Sequence, residues 1–283
     1  MKYLLFVLTL ALLGFRIPIE EMKSSYGHIQ AYYVIQPQLD ESCVDCFISL
    51  EEHQETIANI NKQLMNLAYV KASSFIISKK PNKTYLLTSN HVCTEINTFL
   101  NDEQFKELAA GLMQSILINF PEEISQSIFL KYKIVPKAFV YSFDGERHDI
   151  ENIVLTEEDI DTCAIQTESN WGKKVKLAKS GCEYEKVYNM SSTGGYYYKG
   201  AVSIREGFVN SIVKELEIQG KVFKNVSLYT LVVKPGSSGS AVFNSQGEVC
   251  GSINISFVKV DLSAGASYSD LSDFFVKLKQ KTL

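Results

Sequence analysis

Val233-Lys234-Pro235-Gly236-Ser237-Ser238-Gly239-Ser240-Ala241-Val242 decides how the rest of this chain is read. The apolar run Leu231, Val232, Val233 enters a Pro-Gly turn, small residues follow, and a second apolar run (Ala241, Val242, Phe243) leaves. Small residues at a bend let backbone N–H groups point outward at a ligand, and Ser238 stands among them as a candidate nucleophile. By itself a Gly-x-Ser-Gly tetrapeptide is a common turn. Its meaning depends on whether the chain also holds a base and an acid in fitting surroundings.

A serine hydroxyl is a poor nucleophile until a base takes its proton, and that base is usually a histidine. The chain has four: His28, His53, His91 and His148. Thr84-Tyr85-Leu86-Leu87-Thr88-Ser89-Asn90-His91-Val92 reads as a strand rich in β-branched and aromatic residues, with the imidazole just beyond its end. Such a context fixes His91 rigidly. His53 and His148 read as surface residues, and His28 lies in a Tyr-rich stretch (Tyr26, Tyr32, Tyr33) suited to an edge strand or an oligomer contact. The base in turn needs a carboxylate to hold its tautomer and stabilise the imidazolium. Asp161 opens the mostly apolar Asp161-Thr162-Cys163-Ala164-Ile165, which puts its carboxylate at a strand end beside buried surface; Asp159 is its competitor.

Taken in the order His91, Asp161, Ser238, these segments resemble the chymotrypsin-like serine proteases, and more closely their bacterial HtrA/Deg branch. Thr88-Ser89-Asn90-His91-Val92 is similar to the branch's Thr-Asn-x-His-Val strand end, and Ala72-Ser73-Ser74-Phe75-Ile76-Ile77 to the strand before it. Phe139 through Arg147 resembles its Asp-Gly hairpin, Lys234 through Ala241 its Asn-Pro-Gly-Asn-Ser-Gly-Gly-Pro loop, and Gly247 through Asn254 its next hairpin. The likeness runs over residues 70 to 280 and departs at Ser240 and Ala241, which replace Gly-Pro, and at Ser237, which replaces Asn or Asp.

The resemblance implies an all-β fold, a chymotrypsin-like double six-stranded antiparallel β-barrel with a helical insertion and a C-terminal helix. It implies an exported serine endopeptidase that works through an acyl-enzyme intermediate. Ser238 would attack a peptide carbonyl, His91 would take and return the proton, and Asp161 would orient His91. The N–H groups of Gly236 and Ser238 would form the oxyanion hole. Val232 and Val233 would approach the base of the substrate pocket and Asn254 its wall. No Asp stands there to receive Lys or Arg, which points to an apolar or small substrate side chain. No cofactor and no metal are needed. The competing reading is a catalytically silent, protease-like binding or chaperone module.

The rest of the chain fits around this. At 283 residues and 46 % hydrophobic it is long enough for one large or two small β domains. A net charge of −4 argues against nucleic acid as the main partner, leaving a protein or peptide substrate. Residues 1–20 read as a signal peptide or membrane anchor, because Lys2 precedes an apolar run from Leu4 to Phe15 that is short for a bilayer span. The expected destination is periplasmic or extracellular.

Residues 21–68 read as an N-terminal extension with an amphipathic helix carrying Ile57, Ile60, Leu64 and Leu67. Residues 69–172 read as the first barrel, with a helical insertion over 98–130. In that insertion Asn101 and Gln104 imitate a capping box, and Phe105, Leu108, Ala109, Leu112, Met113, Ile116 and Leu117 line one face. The insertion reads as a helix capping a barrel end, with a lid over the cleft as the alternative. Residues 173–283 read as the second barrel closed by a helix, with no PDZ module after it.

Six cysteines form an even set that suits disulfides in an oxidising compartment. Cys43 and Cys46 have metal-ligand spacing but lack two further ligands, and Cys163 and Cys250 sit in strand patterns where a reduced buried thiol is expected.

Overall fold

The computed structural model describes residues 17–37, 54–119, 122, 128, 132–195, 197–218 and 220–282. Residues 1–16 of the expected leader, most of the helix continuation over 122–130, His53, Cys43 and Cys46 lie outside those residues, while Ile19 and Glu20, also read as leader, open a helix.

Helix α1 (Ile19–Ser25) leads directly into strand β1 (Tyr26–Pro37), followed by α2 (Gln54–Asn66), β2 (Val70–Lys80) and β3 (Lys83–Ser89). Two helices follow, α3 (Asn90–Asn101) and α4 (Glu103–Leu117), then β4 (Tyr132–Ser142), β5 (Arg147–Glu157) and β6 (Thr162–Thr167). These strands close a barrel in the order β1-β2-β3-β6-β5-β4. The barrel therefore begins at Tyr26, inside the stretch read as an N-terminal extension. The Tyr-rich segment is an inner strand, with every residue from Tyr26 to Ile35 buried.

The helices also depart from expectation. Helix α3 starts at Asn90, with Val92, Ile96 and Phe99 buried at helical spacing, so His91 stands in its first turn. Asp102, rather than Asn101, caps α4 by accepting the Gln104 N–H at 2.8 Å. The buried stripe of α4 is Ala109, Met113 and Leu117, while Leu108 is exposed. In α2, Ile60 and Leu64 are buried and Leu67 is exposed.

Among its described residues the second half holds eight strands where six were expected: β7 (Lys176–Leu177), β8 (Lys186–Ser191), β9 (Ser203–Ile218), β10 (Lys221–Tyr229), β11 (Ser240–Phe243), β12 (Glu248–Ile253), β13 (Ile255–Phe257) and β14 (Leu262–Ala266). Their order is β13-β14-β10-β9-β8-β11-β12-β7. The Asn254 N–H donates to the Ala264 carbonyl at 2.9 Å, which curls the sheet so that the end of β12 meets β14. Two short strands, β7 and β13, account for the extra count.

The chain ends its described part in α5 (Tyr268–Thr282). Ser267 starts this helix by accepting the Asp270 N–H, and Leu271, Phe274 and Leu278 bury one face in a core shared with Phe75, Leu87 and Tyr188. Each such side chain contributes about 2 kcal/mol by leaving water. The described chain forms two compact units, and His91, Asp161 and Ser238 all belong to the unit made of residues 1–29, 72–93 and 140–283. In the other unit, Tyr33, Tyr69, Phe99 and Phe105 form an aromatic cluster with ring centroids 4.9 to 5.4 Å apart.

Candidate active site

Strand pairing brings the first two candidate residues together. In the antiparallel β3–β6 ladder Ser89 faces Thr162, and one step further the Asn90 N–H donates to the Asp161 carbonyl at 3.0 Å. His91 follows immediately. Its Nδ1 lies 2.8 Å from Asp161 Oδ2, and its backbone N–H donates to Oδ1 of the same carboxylate at 2.9 Å. The acid thus holds both the ring and the main chain of the base. Its side chain is 4 % exposed against 40 % for the histidine, so the carboxylate sits behind a ring that still reaches solvent.

Asp161 takes φ 48°, a left-handed conformation that Asp tolerates better than most residues and that turns the carboxylate back toward the strand end. Asn254 fixes this turn. Its amide donates to the carbonyls of Ile160 (3.1 Å) and Asp161 (2.9 Å), and its Oδ1 accepts from the hydroxyls of Ser89 and Ser252. Asn254 is buried with its hydrogen-bonding groups engaged, so it supports the Asp161 turn, and it also lines a small pocket with Asp161 and Ile255.

Asp159, the competing acid, faces elsewhere. It is exposed and bound to Lys224 at 2.8 Å, whose hydrogen bond and then charge hold its carboxyl below the usual range.

Beside the pair lies a disulfide between Cys93 in α3 and Cys163 in β6, with Cα atoms 6.5 Å apart. Cys163 is therefore oxidised, against the expectation of a reduced core thiol, because β3–β6 pairing and the turn into α3 aim both sulfurs at one spot. Cys250 is a buried free thiol, as is Cys182.

The Ser238 turn is built from main chain and hydroxyls. Gly236 and Gly239 take φ 92° and 83°, values natural to glycine, and a Cβ on Gly239 would collide with Thr88 and the Ser73 carbonyl. This contact, with the Ser73 N–H bonded to the Ser238 carbonyl at 2.9 Å, seats the turn against the strand that leads to His91. Ser238 is half-buried, and its hydroxyl makes no hydrogen bond among the described residues.

The neighbouring carbonyls are all held. The Gly194 N–H donates to Pro235 O at 2.7 Å, Ser73 Oγ to Gly236 O at 2.8 Å, and the Ser240 N–H (3.0 Å) and Oγ (2.7 Å) to Ser237 O. Among the described residues the N–H groups of Gly236 and Ser238 donate to no protein acceptor. Two vacant donors flanking a serine are what an oxyanion requires.

Behind the turn, His28 is fully buried. Its Nδ1 lies 2.6 Å from Ser192 Oγ, which also bonds the Tyr26 hydroxyl, and its ring stacks on Tyr197 at 4.9 Å. The Ser192 N–H donates to Ser73 Oγ at 3.0 Å, linking this cluster to the turn. The hydrogen-bonding roles of Ser73 and Ser192 could not be read from the sequence, where single serines carry no such signal. His148, expected at the surface, is instead stacked on Trp171 at 4.5 Å with Nδ1 2.8 Å from Ser169 Oγ. Burial pulls its pKa below the usual value, against the opposing charges of Glu146 and Asp149. Val233 is buried in the second-sheet core and Val232 is 47 % exposed, so of the two only Val232 offers its side chain to a ligand.

A closed barrel and a second curled sheet, with an imidazole–carboxylate pair and a Gly-x-Ser-Gly turn at their strand ends, define the class of the trypsin-like peptidases. This chain belongs to that family: the model of the trypsin-like peptidase domain matches residues 72–251. Among solved structures it is similar to the Rv3671c protease of M. tuberculosis in its active form, with a TM-score of 0.54 and 12 % identity over 92 % of this chain and 83 % of that one. It is likewise similar to an inactive form of Rv3671c carrying a serine-to-alanine mutation, with a TM-score of 0.53 and 11 % identity over 95 % and 93 % of the two chains. At such identities the likeness is one of fold. No curated protein matches the sequence.

Proposed function

We propose that the protein is a serine endopeptidase in which Ser238, His91 and Asp161 act as one unit. The observation that carries this reading is the double hold of Asp161 on His91, because a carboxylate on Nδ1 leaves Nε2 as the basic nitrogen. His91 then takes the Ser238 proton as the hydroxyl attacks a peptide carbonyl, and the tetrahedral oxyanion is received by the N–H groups of Gly236 and Ser238. Each such donor is worth roughly 3 kcal/mol at the transition state. The proton passes to the leaving amine, and water admitted to the acyl-enzyme reverses the steps. The exposed Val232 and the absence of an acid from Leu231 to Val233 favour a small or apolar residue before the scissile bond.

The Cys93–Cys163 bond favours an oxidising compartment, in keeping with export to a periplasmic or extracellular space guided by residues 1–20. The competing reading, a silent protease-like module, draws on the Ser238 hydroxyl having no bond to the base. A fluorophosphonate probe separates the two, applied to wild type and Ser238→Ala with and without added peptide. Labelling of wild type and its loss in the variant is expected. No Ser238-dependent labelling under either condition overturns the catalytic reading and leaves the silent module.

A further inference from the structure

Ser240 stands where the resemblance has glycine, it is buried, and its hydroxyl is hydrogen-bonded on both sides. It donates to Ser237 O at 2.7 Å and accepts from Asn189 Nδ2 at 2.8 Å, while the other Asn189 amide hydrogen goes to Ala241 O at 2.9 Å. In a trans peptide the C=O and the following N–H point in opposite directions. Holding Ser237 O therefore sets the direction of the Ser238 N–H, one of the two donors that are vacant in this turn. The other vacant donor, Gly236 N–H, is set in the same way by the Gly194 N–H on Pro235 O.

Between them, the Gly236–Ser237 peptide is reversed, its carbonyl on Ser73 Oγ and its N–H on Lys234 O at 3.1 Å. Three successive peptide planes alternate, and each is held by a partner outside itself. Asn189 lies on β8, which pairs with β11 at Val242, so the chain from Asn189 through Ser240 to Ser237 ties the turn to a rigid strand.

We propose that Ser240 and Asn189 are positioning residues for the oxyanion hole: the buried amide orients the Ser240 hydroxyl, and that hydroxyl, as a second donor beside the Ser240 N–H (3.0 Å), locks the Ser237–Ser238 peptide with its N–H turned outward. This rests on the reading of Ser238 as nucleophile. Ser240 Oγ touches neither substrate nor reacting atoms. Its effect falls on how well an N–H is aimed at a charge that exists only in the transition state, so it moves kcat and not KM.

The test compares wild type, Ser240→Ala and Asn189→Ala. It measures kcat and KM on an apolar peptide anilide, and the inhibition constant of the matching peptide aldehyde, whose hemiacetal adduct carries the oxyanion. Ser240→Ala is expected to lower kcat about 10- to 100-fold with KM within twofold, to weaken the aldehyde by a similar factor, and to keep Ser238-dependent fluorophosphonate labelling at a slower rate. Asn189→Ala is expected to go the same way by a smaller factor.

Unchanged kcat and aldehyde binding in Ser240→Ala overturn the proposal while leaving the catalytic reading intact. A fall in thermal midpoint with a matching rise in KM also overturns it, because that marks general loosening. Should Ser240→Ala yield no soluble protein, Asn189→Ala decides by the same criteria. Labelling that persists in Ser238→Ala refutes the underlying reading instead.

Discussion

The two halves of the candidate site are held by opposite means. His91 and Asp161 are fixed by strand register, two hydrogen bonds and a covalent bond, all within a few residues of the β3–β6 ladder end. The Ser238 turn has no charge and no covalent link. It relies on glycines at positive φ and on the neutral donors Ser73, Gly194 and Ser240. In the proposed mechanism the first arrangement would stabilise the cation formed on His91. The second leaves two donors empty for an anion, and a carboxylate built into it would compete for those donors. The sign of the charge each half must receive accounts for the choice of residues.

The largest effect expected from breaking this contrast is at the acid. Asp161→Asn keeps the shape but reverses the tautomer preference of His91, so kcat/KM on a peptide substrate should fall about 10³- to 10⁴-fold, while Asp159→Asn stays within twofold of wild type. The opposite ranking would move the acid to Asp159.

Next comes the covalent clamp. Its ends are 70 residues apart, and the loop-closure argument assigns it roughly 4 kcal/mol. A Cys93→Ser/Cys163→Ser protein should melt about 8–15 °C lower and lose activity through the base, with slower labelling of Ser238. A thermal midpoint unchanged by the double replacement would show that the ladder alone holds the pair.

The smallest effect concerns His148, which lies away from the site. Its folded pKa is depressed, so below about pH 6.5 the unfolded chain takes up a proton that the folded chain resists, and stability falls with pH until the folded pKa is passed. His148→Gln should flatten that part of the stability curve measured by urea unfolding, without altering the pH dependence of turnover.

Much of this site could be read from local pattern. A strand ending in Asn90-His91, an acid opening an apolar strand and a glycine-framed serine each announce themselves within ten residues. What could not be read was non-local. Strand β1 joins the barrel through β2, across the 32 residues between Pro37 and Val70, and a Tyr-rich segment alone does not reveal its neighbours. The start of α3 at Asn90 was masked by the strand pattern that runs into it. The hold of Asn254 on the Ile160–Asp161 turn was not legible because it depends on what the side chain faces, and Cys163 looked like a plain core thiol because its partner lies in a helix. The serines that hold the nucleophile turn gain meaning only from direction, which residue type does not encode.

In the folded protein the Cys93–Cys163 bond spans the same end of the β3–β6 ladder at which His91 meets Asp161. A slip of one residue in that ladder would turn Cys163 to the opposite face of the sheet. The crosslink and the imidazole–carboxylate contact thus depend on one register, and what holds the first in place holds the second.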